Sequence, residues 1–320
     1  MRYIIASLLF LSGVVSAGTQ AKEIDPYSFL SSQVWKGKKY PRLVPSKLPS
    51  FLIYKSAIAY TSAPDKTRRD LDILYHVDHK TVKRAAIVIV HGGGWKFGDR
   101  TKGHELMAIY AAQGYVTVSI NYRLSYMAIA PAAVYDTKLA VRWMRANADK
   151  YGIDPERVGC AGGSAGGHLS AMLAVSDQSD SVDGPYLNEF SSKVKCSLIL
   201  SGIFDFRGPD PQYVDPFLGG AFGNRKKGLT EQMSPTVLIR AEKVKTIAPM
   251  LIVHSDNEMV PLDQFEGFVA ALKKIGRQDQ TILLKGKEHG HSMMGLPNVR
   301  KASDQFFAAH LKPQPPVSTE

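Results

Sequence analysis

Two glycine-rich stretches hold the residues best suited to chemistry. The first is Gly162-Gly163-Ser164-Ala165-Gly166-Gly167. The apolar run Arg157-Val158-Gly159-Cys160-Ala161 precedes it, and His168 to Ala174, which read as a helix, follow it. A G-x-S-x-G at a strand-to-helix junction can hold a serine on a sharp turn, its hydroxyl raised above the sheet edge. The glycines have a mechanical reason: the turn needs unusual backbone angles, and close helix packing leaves no room for a Cβ. The second stretch is His91-Gly92-Gly93-Gly94-Trp95, also directly after an apolar strand. Backbone N–H groups of Gly92 and Gly93, unobstructed by side chains, can approach a developing oxyanion, with the N–H of Ala165 as a third donor. A phosphate-binding loop would need a lysine-serine helix opening or a G-x-G-x-x-G, and neither is present.

Serine alone is a poor nucleophile and needs a base, with an acid to hold that base. In this order of elements both follow the serine, on loops after late strands. The strand ending at His254 leads into Ser255-Asp256-Asn257-Glu258, so Asp256 or Glu258 could be the acid. The strand ending near Leu284 leads into Lys285-Gly286-Lys287-Glu288-His289-Gly290-His291, so His289 or His291 could be the base. Glu288, His289 and His291 find no further ligands at a matching spacing, so no metal and no cofactor is expected.

The elements that must position these groups alternate. Ser56–Tyr60 and Leu71–Tyr75 read as early strands, the second as an edge strand with one wet face. Ala86–Val90 and Val116–Ile120 are continuous apolar runs, as buried parallel strands tend to be. Ala133, Thr137, Ala140, Val141 and Met144 recur at helical spacing, and Ile153-Asp154-Pro155 ends that stretch. Met250–His254 and Thr281–Leu284 supply two late strands, with a helix between them presenting Phe265, Val269, Leu272 and Ile275. This predicts an α/β fold with a mostly parallel sheet covered on both faces. Residues 206–248, rich in proline and glycine, interrupt the alternation and read as a small lid or substrate-binding insertion within a domain spanning 51–313.

At 320 residues the chain can bury a large core. Its formal charge of +11 is scattered apart from Arg225-Lys226-Lys227, so no nucleic-acid partner is expected. Met1 to Val15 combine a basic start with a short apolar run, and Val15-Ser16-Ala17 ends it with small residues. This predicts a cleaved signal over 1–17, or 1–21, and a periplasmic or secreted protein with no stable membrane anchor. An irregular arm over 18–50 and a tail over 314–320 flank the domain. The two cysteines, Cys160 and Cys196, each sit in an apolar strand and read as small buried residues. His168 reads as a packing residue, Asp205 as a residue that orients the serine loop or caps the next element, and His76, His79 and His104 as surface residues.

From about Ala57 to His310 the chain resembles α/β-hydrolase esterases of the hormone-sensitive-lipase-like and feruloyl/acetyl-xylan-esterase-like branches. The resemblance rests on Leu71–Tyr75, His91–Trp95, Asn121–Leu124, Asp136, Tyr151–Val158 and Gly162–His168. It implies Ser164 as nucleophile and Gly92, Gly93 and Ala165 as oxyanion donors. Relatives with a compact His-Ser-Asp and a proline five residues after the aspartate match Asp256, which is favoured over Glu258. Gly-x-x-His matches Gly286 to His289, which favours His289 over His291. Trp95 is a candidate acyl-pocket residue or a packed loop anchor. The implied activity is hydrolysis of a small or polysaccharide-linked carboxylic ester, with acetyl or feruloyl as the acyl group. The alternatives are an arylformamidase-like amide hydrolase and a non-catalytic ligand-binding relative.

Overall fold

A computed structural model describes residues 34–35, 42–61, 69–176, 180, 182–208, 214–220, 225–226 and 228–312. The expected leader, most of the N-terminal arm and the tail lie outside these residues. Two short strands, β1 (Val34–Trp35) and β2 (Arg42–Leu43), pair antiparallel. The main sheet holds β3 (Leu52–Ala59), β4 (Asp70–His76), β5 (Arg84–Val90), β6 (Val116–Ile120), β7 (Ile153–Gly163), β8 (Ser197–Leu200), β9 (Met250–Ser255) and β10 (Gln280–Leu284). Its order is β10-β9-β8-β7-β5-β6-β4-β3. Pairings from β10 through β6 are parallel, and β4 runs antiparallel to both β6 and β3.

The apolar runs become strands buried on both faces because helices cover each side. Alternate residues of β5 separate into two cores. Val88 and Val90 join the core built with Leu139, Leu169 and Phe268 from the helices Ala132–Ala146, Ala165–Val175 and Leu262–Lys274. Ile87 and Ile89 face Leu106, Ile109, Phe306 and Phe307 from the helices His104–Ala112 and Pro297–Leu311. The same alternation separates the cysteines: Cys160 belongs to the first core and Cys196 to the second, and both are free thiols.

The wet edge expected at Leu71–Tyr75 is corrected. That segment lies in β4, which is buried throughout, and β3 is the outer strand. The polar residue in its alternation, Asp72, is covered rather than solvated. It accepts from Arg100 Nε at 2.6 Å and His104 Nε2 at 2.7 Å. A carboxylate can stay buried when charged and hydrogen-bonding partners surround it. His104 is therefore an interior residue, as is His76, contrary to the surface reading. His104 Nδ1 accepts from the N–H of Leu43 at 3.1 Å, which ties β2 to the main domain.

The helical stretch read from Ala133 through Met144 toward Ile153-Asp154-Pro155 is two helices, Ala132–Ala146 and Ala148–Tyr151, broken at Asn147. The described parts of the insertion form the short helices Val214–Phe217, Leu229–Met233 and Pro235–Leu238. Among the described residues, no helix is long and apolar enough to cross a membrane.

Candidate active site

β7 ends at Gly163, and the helix Ala165–Val175 begins two residues later, so the whole turn falls on Ser164. Its backbone sits at φ 58°, ψ −121°, a sparsely populated region for any side chain. The surroundings hold it there. Ser164 N donates to Leu200 O at 2.8 Å, and Ser164 O accepts from His168 N at 2.9 Å. A Cβ on Gly166 would lie 2.1 Å from Val90 O, and one on Gly162 would lie 2.2 Å from Gly166 O. Glycine lets the first turn of the helix rest directly on the neighbouring strand ends. Ala165 opens that helix, so its N–H has no intrahelical acceptor and remains available.

The loop after β5 lies against this turn. A Cβ on Gly92 would sit 3.2 Å from Ser164 Cβ and 2.6 Å from Gly163 O. Gly93 has φ 129°, and its carbonyl accepts from Phe97 N at 2.9 Å, closing the loop. His91 stays beneath, stacked on Tyr122 with ring centroids 4.3 Å apart. Burial pushes its imidazole down to about 4, so it is neutral near pH 7.

The acid and the base converge from β9 and β10. Glu258 Oε2 pairs with Nδ1 of His289. The carboxylate is fully buried, its Oε1 accepting from Ser255 N at 3.2 Å and lying 3.2 Å from His254 Nδ1. His254 is itself buried, stacks on Phe265 and pairs through Nε2 with Val260 O at 3.1 Å. Burial lowers its pKa, against the opposing pull of Glu258. The histidine loop is pinned on both sides of His289. Ser255 Oγ donates to Glu288 O at 2.8 Å, and Gly290 N donates to Ser201 Oγ at 2.9 Å. A Cβ on Gly163 would meet Gly290 Cα at 2.9 Å, so this loop rests on the serine turn.

The favoured placement of Asp256 beside the histidine is corrected. Asp256 Oδ2 lies 2.8 Å from Lys285 Nζ, and Oδ1 accepts from Gly286 N at 3.0 Å. The Lys285 ammonium holds its carboxyl below the usual range, helped by the Gly286 N–H. Strand register explains the difference. Ser255 is paired in parallel with Leu284, so the next residue, Asp256, still lies beside the outgoing chain of β10. The turn brings Glu258 back over the end of β9. His291, the alternative base, is paired with no carboxylate among the described residues. Its ring lies against Gly163, and burial pushes it down to about 4.

Residues 71–272 match the BD-FAE family model. The chain belongs to the BD-FAE family. Relatives of this BD-FAE member include the protein named Esterase LipC of Mycobacterium tuberculosis, 27% identical over 252 residues, covering 76% of this chain and 61% of the relative. The Probable carboxylic ester hydrolase LipM of the same organism is 30% identical over 252 residues, 74% of this chain and 57% of its own length. The chain thus spans little more than half the length of these curated relatives. Among solved structures, Thermogutta terrifontis esterase 2 phosphonylated by sarin superposes with a TM-score of 0.70 at 23% identity, covering 83% of this chain and 99% of that one. A truncated carbohydrate esterase from gut microbiota gives 0.69 at 24% identity, covering 81% and 96%. These two likenesses show a shared fold.

In this BD-FAE member Trp95 is a packed anchor rather than a wall of an open pocket. Its indole is 1% exposed, stacked on Phe217 at 4.6 Å. Its Nε1–H donates to His168 Nδ1 at 3.2 Å, and His168 Nε2 pairs with Met233 O at 2.8 Å. His168 is therefore satisfied at both nitrogens and, pushed down to about 4 by burial, is neutral. Asp205 binds Arg207 and has no contact with the serine turn among its described hydrogen bonds. Sequence reasoning assigned nothing to His254 and Ser201. The spacing of His254 from Glu258 has no chemical meaning until the turn folds back, and Ser201 lies in no motif.

Proposed function

We propose that the protein is a serine carboxylic-ester hydrolase working through an acyl-enzyme. The carrying observation is the buried Glu258 paired with His289 on a loop that rests against the strained turn of Ser164. Glu258 fixes the imidazole with its proton on Nδ1, leaving Nε2 to take the Ser164 proton as the hydroxyl attacks the ester carbonyl. The N–H groups of Gly92, Gly93 and Ala165 would receive the oxyanion, each worth about 3 kcal/mol in comparable sites. His289 then protonates the departing alcohol and activates water against the acyl-enzyme. The names of the relatives support this reaction.

The acyl group in this reading is short, acetyl in kind, or an aromatic feruloyl, carried on a small alcohol or a polysaccharide. Phe97, two residues after Trp95, and Met259, next to Glu258 in the chain, are exposed apolar side chains, which supports an apolar or aromatic substrate group. The described helices of the insertion pack on Trp95 and His168, which supports a role for this segment in shaping the substrate pocket. The apolar leader supports export to the periplasm or medium.

Incubation with a fluorophosphonate, alongside p-nitrophenyl acetate turnover, tests the reaction. Wild type should be labelled at Ser164 and turn over the ester, while Ser164→Ala should lose both. An unlabelled, inert wild type sinks the reading. Acetylated xylan, feruloyl esters and p-nitrophenyl esters of rising chain length then rank the acyl groups.

A further inference from the structure

We infer that Ser201 is a positioning residue for this reaction, its buried hydroxyl holding the histidine loop to the strand end that also anchors the nucleophile turn; the inference rests on the triad proposed above. Ser201 follows β8, is fully buried and has φ 53°, the left-handed region that side chains avoid. Its backbone N–H donates to Val253 O at 2.9 Å. The residue before it, Leu200, accepts the N–H of the nucleophile Ser164 at 2.8 Å. Its Oγ accepts the N–H of Gly290, the residue next to His289, at 2.9 Å. Two consecutive residues therefore tie the nucleophile turn and the histidine loop to the same strand end.

The side chain at 201 explains why a strained conformation is kept. Glycine would adopt φ 53° freely but would leave the buried Gly290 N–H without an acceptor. Alanine would keep the strain and lose the acceptor as well. Serine, with its hydroxyl already turned toward Gly290, supplies an oxygen on a Cβ that lies deep between the two loops. Oγ can also donate, and Met293 Sδ at 3.6 Å takes that role as a weak acceptor. Backbone strain held in place by surrounding contacts is a known feature of sites where geometry matters. Here the contact it secures lies one residue from the base.

Ser201→Gly and Ser201→Ala separate the hydroxyl from the backbone. Measured on p-nitrophenyl acetate, both should lose about tenfold to a hundredfold in kcat with KM unchanged, since misplacing the base slows chemistry rather than binding. Melting temperatures should part company, with Ser201→Gly no lower than Ser201→Ala because glycine relieves the left-handed strain. The split between kcat and stability marks positioning. A Ser201→Gly enzyme with wild-type kcat overturns the inference, and so do losses in both variants that merely follow the unfolded fraction. Wild-type turnover and Ser164 labelling, run alongside, keep the two readings apart. Active variants overturn the role of Ser201 alone, whereas an inert wild type overturns both.

Discussion

Asp256 and Glu258 lie two residues apart in one turn, yet their surroundings give them opposite tasks. Asp256 is partly exposed and held by Lys285, an arrangement that stabilises a surface turn weakly because water screens it. Glu258 is fully enclosed, with His289 on one oxygen and the Ser255 N–H and His254 on the other. In the proposed reaction this carboxylate would steady the imidazolium formed when His289 takes the Ser164 proton. Glu258→Gln should therefore lower kcat by about 10³- to 10⁴-fold, as when the acid of a triad becomes an amide. Asp256→Asn should stay within a few-fold of wild type. Ester turnover of the two purified variants decides, and an inactive Asp256→Asn enzyme with normal melting would return the role to Asp256. The sequence offers both carboxylates and the family resemblance favours Asp256; their distance from the histidine depends on the β9–β10 register, which the sequence does not carry.

The element that carries the site is the strand–turn–helix around Ser164, and its glycines are of two kinds. Those at the turn, such as Gly166, face backbone atoms that cannot move aside, with Val90 O only 2.1 Å from the position of a Cβ. Gly267, within the helix Leu262–Lys274, has nothing within 4 Å of that position. Gly166→Ala should destabilise the protein by about 3 kcal/mol through overpacking. Gly267→Ala should stabilise it by about 0.5–1 kcal/mol, because alanine loses less backbone entropy in a helix. Urea unfolding midpoints measure both, and equal effects would contradict the distinction. The strand–turn–helix was legible in the sequence, since its glycine spacing has one mechanical use. The covering of β4 was not, because the polar residue in its alternation, Asp72, looks solvent-facing until Arg100 and His104 arrive from another segment.

At the scale of the whole molecule, burial of neutral histidines gives folding a pH dependence. Burial pushes His76, His91, His168 and His291 down to about 4 from 6.5. Between those values the unfolded chain binds more protons than the folded one, so stability rises with pH in that window. It is fully present above about pH 6.5 and falls as pH drops toward about 4. For Asp72, burial acts upward but is outweighed by His104 and Arg100, and its carboxyl sits below the usual range. That carboxylate adds its loss only at lower pH, as protonation begins. The urea midpoint should be flat from pH 8 to about 6.5 and then decline. His168→Gln should make the decline shallower, and an unchanged slope would remove His168 from this account.

The sequence by itself determined the alternating α/β architecture, the strained serine and the glycine loop that faces it. Those features are local, since periodicity, glycine placement and strand-to-helix order act within a few residues of chain. Tertiary structure decided which acid meets which histidine, that Trp95 is buried packing, and that Ser201 lies between the two loops. Each of these depends on strands distant in sequence meeting in one register. A register carries no residue signature, because it is fixed by how two apolar faces and eight strands pack together.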